Sequence, residues 1–135
     1  MSAYVLDTFA LLAYFNAEPG GTQVKDLIQS ASTKQATLYI SQINLGELYY
    51  IVFRKRGLQK AQETLQTLRE LPVVFCEATE IRILAAAELK AQYPISYADA
   101  FAAALAIERN ATLVSGDPEF SALAPAVTML WLTQA

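Results

Sequence analysis

The 135-residue chain contains no histidine and a single cysteine, Cys76, so any chemistry it performs rests on carboxylates, hydroxyls, lysines or arginines. Ser-His-Asp and Cys-His nucleophilic schemes, histidine-based acid–base nucleases and the usual histidine-containing zinc sites are thereby excluded. Four acids stand where the chain changes character: Asp7 after an apolar run, Glu47 early in a helical stretch, Asp99 three residues after Ser96, and Asp117 in the turn Ser115-Gly116-Asp117-Pro118. Asp99 has a local explanation, a capping box with Ser96, and Asp117 has another, since aspartate bonds its own backbone well in turns. If all four meet, local explanations no longer suffice. Carboxylates about 5 Å apart repel by roughly 3 kcal/mol per pair at an effective dielectric of 20. Either some of them keep protons, with pKa values raised by their neighbours, or a hard divalent cation occupies the cluster. With oxygen donors alone, Mg²⁺ or Mn²⁺ is favoured over zinc.

Whether they meet depends on the elements that carry them. Residues 3–6 read as a buried strand that stops at Asp7-Thr8, followed by a short helix with Phe9, Leu11, Leu12 and Phe15. Glu18-Pro19-Gly20-Gly21 breaks the chain, and Thr22 is placed to cap a helix with Val24, Leu27 and Ile28 on one face. Residues 37–40 read as a second strand, and Ser41 caps a long helix over 42–56 with Glu47 in its first turn and a half. Gly57 ends that helix, and 58–71 forms another, with Ala61, Leu65 and Leu68 at helical spacing. Two helices in succession make a hairpin arm, whose Tyr49, Tyr50 and Phe53 are either an ordinary core stripe or a surface for a partner.

Pro72 then opens a third strand over 73–76, and 79–92 reads as a helix bearing Ile81, Leu84, Ala85 and Leu89, ended by Tyr93-Pro94. From Ser96 a helix runs through Phe101, Leu105 and Ile107 to Asn110, before a strand over 112–115, a helical turn around 119–123 and a last strand over 127–132. Strands alternating with helices predict an α/β fold, a three-layer α/β/α sandwich on a mostly parallel sheet of about five strands, with residues 1–135 as one domain. In such a sheet, strand exits and the starts of crossover helices share the carboxyl edge. Asp7, Glu47, Asp99 and Asp117 are therefore predicted to converge there.

Composition sets the outer bounds. Hydrophobic residues make up 54% and charged residues 17% of the chain, which argues against disorder and leaves room for an apolar partner surface, so a homodimer is expected. A lone cysteine makes no use of an oxidising compartment, and a cytoplasmic location fits. The net charge of −3 and pI near 4.9 argue against a broad basic surface, so nucleic-acid contact has to be local. Arg54, Lys55 and Arg56 form the one dense basic run; they are candidates for phosphate contact, or else cations complementing a helix C-terminus. Neither GxxxxGK[ST] nor GxGxxG occurs, and no run approaches the roughly 20 apolar residues that span a bilayer.

The four motifs V-L-D, N-L-G-E-L, S-Y-A-D-A-F-A-A-A-L-A and V-S-G-D-P-E-F, in this order, closely resemble those of the PIN-domain ribonucleases, and the short chain most resembles the VapC-type toxins of bacterial toxin–antitoxin pairs. The resemblance covers essentially the whole chain and implies that Asp7, Glu47, Asp99 and Asp117 are the metal-binding and catalytic acids, with Thr8 and Ser115 as polar supports. Family members often carry threonine where Ser115 stands; the hydroxyl is retained. The resemblance further implies a Mg²⁺- or Mn²⁺-dependent endoribonuclease leaving a 5′-phosphate and a 3′-hydroxyl, an RNA substrate, and a cognate antitoxin whose tail fills the groove. An acidic groove suits a tail bearing arginine.

Rival readings fit less well. A haloacid-dehalogenase-type phosphatase wants a second aspartate two residues after the first, where Phe9 stands. A receiver domain needs an acceptor aspartate near the end of the third strand and a lysine after the fifth; Glu77 follows Cys76, and no lysine occurs after Lys90. A PIN-like binding or scaffold module without activity remains the non-enzymatic alternative, and the intact set of four acids weighs against it.

Overall fold

Successive residues of a strand face opposite sides, so a run of consecutive apolar residues can serve two cores at once. The computed structural model describes residues 2–133 and shows this arrangement. In chain order the elements are β1 (Ser2–Leu6), α1 (Thr8–Phe15), α2 (Gly21–Ser32), β2 (Ala36–Ser41), α3 (Gln42–Arg56), α4 (Leu58–Glu70), β3 (Val74–Cys76), α5 (Glu80–Gln92), α6 (Tyr97–Glu108), β4 (Thr112–Ser115), a 3-10 helix (Pro118–Leu123) and β5 (Met129–Trp131). All four strand pairings are parallel, in the order β3-β2-β1-β4-β5. Val5 and Leu113 pair across β1 and β4 and enter the core under α5 and α6 with Ala86, Phe101 and Leu105. Leu6 and Val114, the next pair along, join Leu38 and Ile40 in the opposite core with Leu11, Val24, Leu48 and Leu68 from α1 to α4. The result is the three-layer α/β/α sandwich with a five-stranded sheet.

Strand order reverses between β1 and β4, because the chain runs from β1 to β2 and β3 on one side and returns to place β4 and β5 on the other. At such a switch point the loops leaving neighbouring strands diverge to opposite faces and open a crevice at the carboxyl edge. Asp7 leaves β1 there, and Asp117 lies two residues beyond β4.

Side-chain caps start the helices that border this edge. The Ser41 hydroxyl accepts the Ile43 N–H at 3.2 Å to begin α3, and the Ser96 hydroxyl accepts the Asp99 N–H at 3.1 Å to begin α6. Helix α6 ends at Glu108, after which Asn110 adopts a left-handed φ of 50° and turns the chain into β4. Its buried residues include Ala100, Ala102, Ala103 and Ala106, and small side chains let it lie close against its neighbours.

Several sequence expectations need correction. Helix α2 starts at Gly21 with Gly20 as its cap, so Thr22 does not cap it. The reason is close packing: a Cβ on Gly21 would lie 2.5 Å from the Ala13 carbonyl oxygen, and one on Gly20 would lie 2.8 Å from the Leu132 side chain. Strand β3 begins at Val74, since Pro72 has no N–H and the Val73 N–H is spent on the Leu71 carbonyl at 2.8 Å. Strand β5 is likewise shorter, because the Val127 N–H bonds back to Leu123.

On α5, Ile81 is 81% and Leu84 55% exposed, while Arg82, Ala86 and Leu89 form the more buried side of the helix. The tight α5–α6 contact takes small Ala86 and leaves the larger aliphatics outside. On the α3–α4 arm, Leu48 and Val52 are buried, whereas Tyr50 and Phe53 are exposed, Tyr50 beneath the Arg54 guanidinium at 5.0 Å. Ile107 is also exposed. Among the described residues, no helix is long and apolar enough to cross a membrane.

The approach of α2 to α1 gives a direct test of this packing. Gly21→Ala forces a methyl against backbone, which is not free to swing aside, and overpacking of this kind costs about 1–3 kcal/mol. Urea denaturation should show a lower midpoint with an unchanged slope.

Candidate active site

Asp7 is fixed by its own helix. As N-cap of α1 it accepts the Ala10 N–H on Oδ1 at 2.8 Å, which satisfies an orphan donor and buries the carboxyl group at the switch point. The Ser115 hydroxyl also bonds the Asp7 carboxyl group, and its oxygen accepts the Asp117 N–H at 3.0 Å. One buried hydroxyl thus ties the exit of β1 to the loop after β4. Burial pushes the Asp7 pKa up to about 7, against the hydrogen bonds from Ser115 and Ala10; the charges of Asp99 and Asp117 push in the same direction as burial.

Asp99 sits in the first turn of α6. The Ser96 hydroxyl caps its N–H, and that hydroxyl is also the side-chain partner of the Asp99 carboxylate. Among the described residues, no hydrogen bond from the Ser96 backbone N–H to Asp99 completes the capping box. Burial again raises the pKa to about 7, reinforced by the charge of Asp117 and by Glu119, and opposed by Ser96. Asp117 caps the 3-10 helix by accepting the Glu119 N–H at 3.0 Å. The same turn that explains Asp117 locally therefore directs Glu119 back toward it.

Asp7, Glu47, Asp99 and Asp117 all line one open cleft of about 320 Å³, which Thr8, Ser96 and Glu119 also line. Glu119 was not singled out from the sequence. Its signal was the spacing D-P-E, in which Pro118 starts a tight helical turn and returns the second acid to the same edge. The closest grouping is Asp99, Asp117 and Glu119, with one carboxylate oxygen from each within 4.8 Å of the others. Among the described residues no lysine or arginine lines the cleft, and none of the five acids is in an ion pair. Arg54, Lys55 and Arg56 are not brought into it; Arg54 lies seven residues beyond Glu47, about 10 Å along the α3 axis.

The donor set fits a hard divalent cation. Five carboxylates supply oxygen ligands only, two of them, Asp7 and Asp99, have pKa values raised to about 7 by burial and by neighbouring acids, and the cleft is open enough to admit a hydrated ion. Phe9, Leu12 and Ile51 add an apolar part to the lining. Gly116 permits the close seat of Phe9: a Cβ there would come within 2.4 Å of the ring.

The sequence matches the PIN-domain family model over residues 4–125. Among curated proteins no sequence matches it. Among solved structures, a chain of VapBC2 from Rickettsia felis, bound to a promoter DNA fragment, superposes with a TM-score of 0.77 at 24% identity, covering 97% of this chain and 99% of that one. VapC20 from Mycobacterium tuberculosis, described as a sarcin-ricin-loop-cleaving toxin, gives 0.73 at 19% identity over 93% and 96%. A chain of the DNA-bound VapBC from Salmonella typhimurium gives 0.74 at 17% over 96% and 98%. This chain shares their fold.

The raised carboxyl pKa values fix a sign for stability against pH. Between about pH 4 and pH 7 native Asp7 and Asp99 hold protons that the unfolded chain has released, so stability falls as pH rises through that window and levels off above it. In metal-free buffer, chemical denaturation should show a loss on the order of 3 kcal/mol from pH 5 to pH 8 from Asp7, with a smaller, solvent-screened contribution from Asp99. Asp7→Asn should remove the larger part of that dependence, leaving the Asp99 share, and be the more stable protein at pH 8.

Proposed function

This chain belongs to the PIN-domain family, and on that premise we propose that it is a metal-dependent endoribonuclease, the toxin of a type II toxin–antitoxin pair. The observation that carries the reading is the set of five carboxylates, without an ion-pair partner among the described residues, that line one cleft at the switch point of a parallel sheet. A scaffold module has no use for such an arrangement, which costs desolvation and repulsion and gains nothing until positive charge enters. The fold likeness to chains of toxin–antitoxin complexes supports the toxin assignment.

Asp7, Asp99 and Asp117 would hold the cation, with Glu47 and Glu119 completing the set from the cleft lining. Bound Mg²⁺ or Mn²⁺ would supply Lewis acidity toward a phosphate oxygen and a water acidic enough to ionise near neutrality. Asp7 and Asp99 would have to release their protons to serve as ligands, so affinity for the cation is expected to rise with pH through about 7. Thr8 and Ser115 keep the strand exits in place, and Phe9, Leu12 and Ile51 offer an apolar surface suited to a nucleobase. With water as nucleophile, the 2′-hydroxyl is not needed in the reaction, and the products carry 5′-phosphate and 3′-hydroxyl ends. Preference for RNA then rests on contacts along the groove, with Arg54, Lys55 and Arg56 as candidates for flanking phosphates.

Two protein partners belong to this reading. One is a cognate antitoxin whose arginine-bearing tail enters the acidic cleft. The other is a second copy of the chain, seated on the apolar face of α5 where Ile81, Ile83 and Leu84 adjoin Tyr97, whose hydroxyl reaches the Ile83 carbonyl. A cytoplasmic location fits both the lone cysteine and an RNA target.

Purified, antitoxin-free protein incubated with total cellular RNA should produce new 5′-phosphate ends in Mg²⁺ and none in EDTA. Asp7→Asn and Asp99→Asn should each lower the rate by more than about 100-fold. Equal cleavage by Asp7→Asn would sink the assignment of this cleft as the nuclease site. Sedimentation should show a dimer that Ile81→Glu/Leu84→Glu converts to monomer.

A further inference from the structure

The acids reach the cleft from four places in the chain, and one side chain links three of them, the starts of α1 and α6 and its own helix α3. Asn44 is completely buried. Its Nδ2 donates to Thr8 Oγ1 at 3.2 Å and to the Ala98 carbonyl at 3.3 Å, which uses both of its hydrogens. The Thr8 hydroxyl in turn reaches the Asn44 backbone carbonyl at 3.5 Å. Thr8 follows Asp7, Ala98 precedes Asp99, and Asn44 lies one helical turn before Glu47. These contacts span 36 and 54 residues of sequence.

The orientation of the amide is dictated. A carbonyl can only accept, so Ala98 requires the amide nitrogen, and Asn44 Oδ1, fully buried, has no hydrogen-bond partner among the described residues. A buried unpaired acceptor is costly, and an apolar residue of the same shape would avoid that cost. The position therefore retains a penalty that packing alone does not require. We propose that Asn44 is the positioning residue of the acid cleft, its amide setting the spacing of the strand exit and the two helix starts that carry Asp7, Glu47 and Asp99. It acts through those carriers, and the proposal rests on the metal-site reading above.

Asn44→Leu is compared with Leu68→Ala, a core substitution in α4 whose residue does not line the cleft. Calorimetric titration with Mn²⁺ alone should show at least a tenfold weaker dissociation constant for Asn44→Leu and less than a twofold change for Leu68→Ala. The two are compared after matching the fraction folded by thermal melt. Amide hydrogen exchange in metal-free buffer should be faster in Asn44→Leu at Ala10 and across the first turn of α6, and unchanged there in Leu68→Ala. Asn44→Ser, which can serve only one of the two acceptors, should give the same split and replaces the leucine variant if that one does not fold. Equal Mn²⁺ affinity and equal exchange in wild type and Asn44→Leu overturns the positioning role while leaving the metal site standing. Failure of the wild type itself to bind Mn²⁺ overturns the metal reading and, with it, this proposal.

Discussion

The structure is organised by the confinement of like charges. Asp7 and Asp99 are buried at the switch point, and Asp117 and Glu119 bring two more carboxylates against Asp99. Water cannot screen groups it does not reach, so burial and mutual repulsion act together, and both push toward protonation. A chain held by weak local preferences would relax by swinging these residues into solvent. This one does not, because Asp7, Asp99 and Asp117 are each attached to a group that cannot move without unfolding something else. Asp7 caps α1, Asp117 caps the 3-10 helix, and the Asp99 N–H is itself capped by Ser96.

The neighbouring packing serves the same end. Helix α6 delivers Asp99, and its buried face is built largely from alanine, with Phe101 and Leu105 as the larger side chains. Small side chains bring a helix axis closer to its neighbours and leave few rotamers to adjust, so its first turn has little freedom to translate. Ser115, fully buried at the end of β4, accepts from the Asp117 N–H and bonds the Asp7 carboxyl group. The two strand exits are thereby linked by a hydroxyl, a group that can both donate and accept. A methyl group in its place would break that link.

The elements were legible in the sequence wherever a terminator had a local cause. Ser41, Gly57, Thr79 and Ser96 mark helix ends through chemistry that acts within a few residues, and the structure places α3 over the 42–56 read from sequence. The sheet was legible because its short apolar strands alternate with helices. What depended on a distant neighbour was not legible. Apolar spacing does not say which face of α5 is covered; the contact with α6 selects Ala86 and excludes Ile81 and Leu84. Thr22 has good capping chemistry, yet α2 begins earlier because two glycines lie against Ala13 and Leu132. Among the acids, Asp7, Glu47, Asp99 and Asp117 could be placed on one edge from topology, whereas Glu119 required the curvature of a 3-10 turn.

The charge confinement also determines what can occupy the cleft. Every acid in it is without a counter-ion among the described residues, so an occupant gains according to how well it supplies positive charge to a partly dehydrated pocket. On the proposed reading a divalent cation and an arginine from an antitoxin tail relieve the same deficit, and relief by one reduces what remains for the other. Inhibition on that reading needs no distortion of the fold; it would follow from competition for the same cluster of acids, with the two affinities linked by mass action. On the same reading an RNA phosphate would bring negative charge to this edge, and its approach would be unfavourable until a cation was present. A cleft whose acids were individually paired with lysine or arginine would bind neither ligand well, and among the described residues its lining holds none.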